Sequence, residues 1–171
     1  MKTLYQILII YFLLHSTISK SQNNSNQDIY EVINSLDLIN KDDTINKRPY
    51  LSISPRPTLG PWLKTKAYYK PFDTILSKND IDVMIEQATA FDTSTIWQQD
   101  KIHNMTIVDW KKTVAKKCYH LEYPVFSKDR KYAIVKVQYN CGNLCGSGCW
   151  VLYQKMDHGW KKIMTGNCGI S

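Results

Sequence analysis

The sequence predicts an α+β fold: an antiparallel β-meander of three to four strands with one or two helices packed on it. Three observations carry this. Apolar residues recur at helical spacing twice in the first half of the chain, at Ile29, Val32, Ile33 and Leu36 and again at Ile81, Met84, Ile85 and Ala88. Strand-like runs occupy residues 115–126, 132–140, 150–155 and 160–164. Three turn signals join those runs: Ser127-Lys128-Asp129-Arg130, a Cys/Gly-rich crown over residues 141–149, and Asp157-His158-Gly159. Helices followed by a run of hairpin-linked strands is the α+β order.

In chain order, Met1-Lys2-Thr3 precedes an apolar run over residues 4–14 broken only by Gln6, and then the small residues Ser16, Thr17, Ser19 and Ser21. A basic start, a short apolar run and a small-residue tail are the layout of a secretory signal peptide, with cleavage expected after Ser21 or, second, after Ser19. The run is shorter than the roughly 20 apolar residues a membrane-spanning helix needs. No cysteine closely follows it, so the expected product is soluble rather than lipid-anchored, in the periplasm or outside the cell, with no transmembrane segment once the leader is removed. The expected organisation is a signal peptide (1–21), an N-terminal helix and Pro-rich extended segment (22–77), and an α+β domain with a Cys/Gly hairpin (78–171). The remainder after the leader is long enough for one domain with a real core.

Residues 22–27 are polar, and the first helix is expected over 28–38. Pro49, Pro55, Pro57 and Pro61 each fix φ and lack a donor, which makes the next stretch extended with a short strand at 51–54. The second helix, over 80–91, has Ser77 or Asn79 as its cap, and Asp80 and Asp82 suit the positive end of its dipole. Asp82 and Glu86, four apart on its outer face, could hold a cation, but a solvated helix surface accounts for them. In the strand run 132–140, Ala133, Val135 and Val137 alternate with Ile134 and Lys136, as in a strand with one better-buried face.

Five cysteines in an exported chain point to disulfides, and an odd number leaves one thiol over. A tight turn at 157–159 sets Met156 opposite Gly159 or Trp160. Counting back puts Cys149 opposite Gly166 or Asn167, with Cys168 the nearest thiol across the ladder. The predicted Cys149–Cys168 bond closes a loop of about 20 residues, worth roughly 3 kcal/mol in the chain-entropy model. Cys141 and Cys145, within one loop, form the second preferred pair, which leaves Cys118 free. The same counting through the Ser127 turn brings Cys118 near Asn140, so Cys118–Cys141 competes.

Three active readings of the crown fail on spacing or context. Gly146-Ser147-Gly148-Cys149-Trp150 looks like a papain-type nucleophile segment with an extra glycine, but here a strand follows the cysteine and His158 is the only histidine downstream. Cys141, Cys145 and Cys149 are spaced C-x3-C-x3-C, whereas structural zinc uses C-x2-C or C-x4-C knuckles and four ligands. Exchange enzymes carry C-x-x-C at a helix start, which is absent. Neither metal nor cofactor is expected. Cys118 and His120, two apart on a strand, face one side as a nucleophile–base pair would.

The formal net charge is +7, two units of which leave with Lys2 and Lys20. Residues 101–136 hold nine Lys/Arg against Asp109, Glu122 and Asp129. Such a patch can attract acidic partners, but no nucleic-acid motif accompanies it, and no nucleic acid is expected as a partner.

Phe126-Ser127-Lys128-Asp129, Ala133, Cys141-Gly142-x-Leu144-Cys145-Gly146-x-Gly148 and Gly159-Trp160-Lys161 together resemble a pattern in small exported proteins of Bacteroidota-type bacteria. Asn79-Asp80-Ile81-Asp82 and Trp97 belong to it, and it covers residues 78–163. The resemblance implies the compartment and the hairpin fold; those proteins have no assigned activity, so it implies no mechanism. Cys118, Cys149 and Cys168 lie outside the pattern. The closing Gly-Trp-Lys hairpin with a helix on an antiparallel sheet is also similar to cystatin-like and NTF2-like architecture.

The function expected from these readings is an exported, non-catalytic binding or interaction module of the cell envelope, with an envelope protein or ligand as partner. Its expected surface is the loop of Gly142, Asn143, Leu144, Gly146, Ser147 and Gly148, followed by the basic face of Lys111, Lys112, Lys116 and Lys117. The alternatives are an exported, hydrolase-like enzyme using Cys118 and His120, and an inhibitor or immunity protein that inserts the stapled loop into a partner's cleft.

Overall fold

A computed structural model describes residues 27–36, 50–53, 70–90, 98–103, 105–107, 118–142 and 145–170; the side chains of 50–53, 118, 140–145 and 170 fall outside that description. The expected signal peptide therefore lies outside the described residues, as do Asn143, Leu144, Lys111, Lys112, Lys116 and Lys117. Among the described residues no helix is long and apolar enough to cross a membrane.

The elements are helix α1 (residues 27–34), strand β1 (Tyr50–Ile53), a 3-10 turn (Lys70–Phe72), helix α2 (Lys78–Thr89), a second 3-10 turn (Gln99–Lys101), and strands β2 (Thr106–Ile107), β3 (Cys118–Leu121), β4 (Val125–Phe126), β5 (Tyr132–Gly142), β6 (Cys145–Met156) and β7 (Gly159–Ile170). The described strands form one sheet in the order β2-β1-β3-β5-β6-β7, with β4 also paired to β5. The α+β fold and its β-meander are thus as the sequence predicts, with two helices on an antiparallel β3-β5-β6-β7 ladder.

Two features extend that expectation. The short strand in the Pro-rich region enters the sheet interior, where β1 pairs in parallel with both β2 and β3. The expected run over 115–126 is two strands, parted at Glu122-Tyr123-Pro124. Proline cannot donate to a ladder, and the chain resumes pairing only at Val125↔Ile134.

The hairpin expected at the Cys/Gly crown is found between β5 and β6, with a tighter end than the sequence suggests. The expected nine-residue loop is mostly ladder: Gly146, Ser147 and Gly148 pair with Asn140, Tyr139 and Gln138, and Gly142 pairs with Cys145. Glycine here serves close packing rather than a turn. A Cβ on Gly148 would lie 3.0 Å from Gln138 Cγ. At the other hairpin the turn is as predicted, Met156 pairing with Gly159, whose φ of 117° suits glycine.

Both faces of the sheet are covered, so Ile134 is as completely buried as Ala133 and Val135. On one face lie α1 and the 98–107 segment. Val32, Ile33, Leu36, Ile102 and Met105 form a core there with Phe126, Ala133, Val135, Val151, Tyr153 and Trp160. On the other face α2 and the 70–72 turn bring Phe72, Leu76, Ile81, Met84 and Ala88 against Val125, Ile134, Trp150 and Leu152. The N-terminal helix therefore packs on the same sheet that β1 joins by its backbone and that the strands over 118–170 build.

Each helix is fixed by polar side chains. Ser77 and Asp80 form a capping box at the start of α2: Ser77 Oγ accepts from the Asp80 N–H, and Asp80 Oδ2 accepts from the Ser77 N–H. The other oxygen of Asp80 accepts from the Lys128 N–H at 3.2 Å. Gln87 donates from Nε2 to the Phe126 carbonyl at 2.8 Å and accepts from the Phe126 N–H at 2.9 Å. Its amide thereby occupies the place of a neighbouring strand beside β4. These contacts join the Asp80 helix start to the Phe126-Ser127-Lys128-Asp129 turn.

Helix α1 is held by charge and by amides. Asp28, 7% exposed, accepts from Arg130 Nε and Lys155 Nζ, each at 2.7 Å. Burial pushes its carboxyl pKa up, but the hydrogen bonds from Lys155 and Arg130 outweigh burial and hold it below the usual 3.8. Asn34 clasps the 98–103 segment, donating to the Lys101 carbonyl and accepting from the His103 N–H. Gln99 ties that segment to β2, donating to the Met105 carbonyl and accepting from the Ile107 N–H.

Candidate functional site

Helix α1 is shorter than the strands it covers, and its end defines the site. Along β5, Ala133 and Val135 are fully buried, Val137 is only partly so, and Tyr139 lies beyond the core. Along β6 the same face passes from buried Tyr153 and Val151 to half-buried Cys149 and exposed Ser147. Where the helix stops, near Ser35, a groove of about 710 Å³ opens on this face. A volume of this order falls within the roughly 300–1,000 Å³ of small-molecule sites.

The floor of the groove is apolar and aromatic. Tyr119 and Tyr139 are direct cross-strand partners whose rings meet at 4.9 Å. Val137, Val151 and Tyr153 continue the surface to Trp160. Trp160 is fixed edge-on to Phe126 at 5.6 Å, with the Lys155 ammonium 5.6 Å from its ring centre. Its indole Nε1 is buried and, among the described residues, is the one buried side-chain polar atom without a hydrogen-bond partner. Leaving such a donor unpaired costs about 1–3 kcal/mol.

Among the described residues the lining holds no carboxylate; Lys162 joins Ser35, Ser147 and Thr165 there, while Lys161, which pairs with Gln154, borders the groove from the opposite face. Lys162 and Thr165 stand opposite Tyr153 and Val151 in the ladder. Neither Lys161 nor Lys162 has an ion-pair partner among the described residues. By contrast, Arg130 and Lys155 on the same face are both engaged by Asp28.

Cys149 lines the groove as half of the Cys149–Cys168 disulfide, the bond expected from strand register. Trp150 pairs with Gly166 and Gly148 with Gly169, so the bond spans a bulge in β7 at residues 167–168. Asn167 adopts a φ of 48°, a left-handed conformation asparagine tolerates. The predicted approach of Cys118 to Asn140 is also found, as a direct pairing. The side chains of Cys118, Cys141 and Cys145 lie outside the described set, and with them the Cys141–Cys145 and Cys118–Cys141 pairings.

Of the expected surface residues, Ser147 and Gly148 reach the groove as strand residues. Tyr153 and Trp160 are core residues at the edge of the groove, whereas Tyr119 and Tyr139, which strand spacing also reads as core, face it beyond the end of α1. Their shared face across adjacent strands was the available signal. His120 belongs to the opposite face, paired with Gln138, and burial lowers its pKa below 6.5. Asp82 and Glu86 are exposed on α2, and the described residues contain no cluster of three or more potential metal ligands.

No family model, curated protein or solved structure matches the chain, and the cystatin-like and NTF2-like expectation has no structural match behind it.

Proposed function

We propose that the protein is an exported, non-catalytic binding module of the cell envelope, and that its ligand site is the groove beyond α1. The observation that carries this is the groove itself: an aromatic-lined opening of about 710 Å³ where α1 ends, bordered by Tyr119, Tyr139 and Trp160. The unpartnered Trp160 indole N–H lies beneath that border, out of solvent contact, so a bound acceptor reaches it only with a shift of the ring. The Cys149–Cys168 bond supports export, since disulfides persist in oxidising compartments. The leader-like residues 1–21 and the resemblance to small exported proteins support it too. The binding surface moves from the tip of the Cys/Gly hairpin to its side, because Ser147 and Gly148 are ladder residues that border the groove.

The test is the native mass of the protein purified from the envelope of cells expressing the full chain. A small-molecule adduct is expected on the unsubstituted protein and not on Thr165→Trp, which places a bulky ring at an exposed lining position. Val137→Trp, which fills the floor, is expected to behave likewise. Adducts retained by both variants, with circular dichroism showing both folded, overturn the groove as the site.

A further inference from the structure

We infer that the ligand class of this groove is an amphipathic organic anion: an apolar body with a single carboxylate-like head. This rests on the groove being the binding site and adds the chemistry it selects. The apolar body follows from the floor, where Val137, Val151, Tyr153 and the Tyr119–Tyr139 pair offer surface that gains from contact with hydrocarbon or a flat ring.

The sign of the head follows from two observations. Lys162, opposite Tyr153 on the α1 face, lines the groove without an ion-pair partner among the described residues, so its charge is available to a ligand. Lys161, opposite Gln154, belongs to the other face. No Asp or Glu is among the described lining residues, so a cationic head would find no carboxylate there and only ring faces to set against the repulsion of Lys162. The charged side chain that lines this face of the groove, Lys162, is donor-only, and an acceptor-rich anion matches it. The hydroxyls of Ser147 and Thr165 can donate to such a head, while that of Ser35 is already committed to the Val32 carbonyl at 2.6 Å.

The experiment is calorimetric titration of the disulfide-intact protein with three probes of one chain length below their micellar concentrations: dodecanoate, dodecanol and dodecyltrimethylammonium. Dodecanoate is expected to bind at least about tenfold more tightly than the cationic probe, with dodecanol between them. That ratio is what one exposed ammonium supplies by attracting the anion and repelling the cation. The Lys162→Gln variant is expected to weaken dodecanoate about threefold and to leave dodecanol within about twofold. Equal affinity for all three probes, or a charge preference undiminished in the Lys162→Gln variant, overturns the anion assignment and leaves the groove standing as a purely apolar site. Absence of binding by every probe, dodecanol included, overturns the groove itself.

Discussion

The two faces of one sheet are finished differently, and the difference marks where ligand chemistry is available. Under α2 the helix is capped, clasped to β4 through Gln87 and Asp80, and complemented by the 70–72 turn. Phe72 and Pro71 press so closely on Gly166 that a Cβ there would meet them at 3.1–3.2 Å. Under α1, Val32, Ile33 and Leu36 pack with Trp160 over the near half of the face, then the helix ends and Tyr119 and Tyr139 line open space. The first face also buries polar groups, but in pairs: Glu122 and Lys136 meet at 3.1 Å, with the Lys136 ammonium 5.2 Å from the Trp150 ring centre. On the second face an indole N–H goes without a partner. Buried donors are rarely left in that state where only stability is at stake.

Substitution should separate the two faces by size of effect. Phe72→Ala empties a fully enclosed position and is expected to cost about 3–5 kcal/mol in urea unfolding. Tyr139→Ala, at the groove, loses mainly its ring contact with Tyr119 and is expected to cost about 1 kcal/mol. Equal losses at the two positions would mean that the groove is core, and the contrast between the faces would collapse.

The next effect in size belongs to the disulfide, which secures the part of the α1 face that the helix does not reach. Cys149 and Cys168 are 19 residues apart, and the Cys149→Ala/Cys168→Ala variant is expected to lose about 3 kcal/mol. Hydrogen exchange should show where: protection falls at 145–149 and 165–170, while 150–156, held between the two cores, stays protected. A uniform loss over the whole ladder would make the bond a global restraint rather than a local staple.

Much of this was legible in the sequence. Helix periodicity located both helices, Ser77 and Asp80 announced a cap, and turn counting from Asp157-His158-Gly159 set the register that unites Cys149 with Cys168. These are local signals or short-range arithmetic. What stayed hidden depends on contacts distant in sequence. Gln87 gives no sign that it will clasp Phe126, 39 residues away. Asp28 reads as the start of a helix rather than as the partner of Arg130 and Lys155, 102 and 127 residues on. The parallel pairing of β1 needs the whole α2 crossover to exist first. The groove was hidden for a related reason: Tyr119 and Tyr139 obey strand alternation like any core residue, and only the length of a helix packed from elsewhere decides that they are not sealed.

The smallest expected effect tests how each helix is held. Asp28→Asn removes the charge that joins α1 to Arg130 and Lys155. Those cations are 34% and 42% exposed and can turn to water, so the expected cost is about 1–2 kcal/mol, below that of a fully buried pair. The folded-state pKa of Asp28 lies below 3.8, so the unfolded chain takes up the proton first as pH falls. The contribution of the carboxylate is therefore complete above pH 3.8 and is lost as pH drops through the folded value. Urea midpoints should place the unsubstituted protein above Asp28→Asn at pH 7, with the gap closing below pH 3.8. Gln87→Leu on α2 should cost a comparable amount, since it strips both partners from the Phe126 backbone, but with a gap that does not change over the same acid range. A pH-independent gap for Asp28→Asn as well would assign α1 to packing alone. A gap that closes for Asp28 only would show that acid loosens the helix bordering the groove and leaves the opposite helix in place.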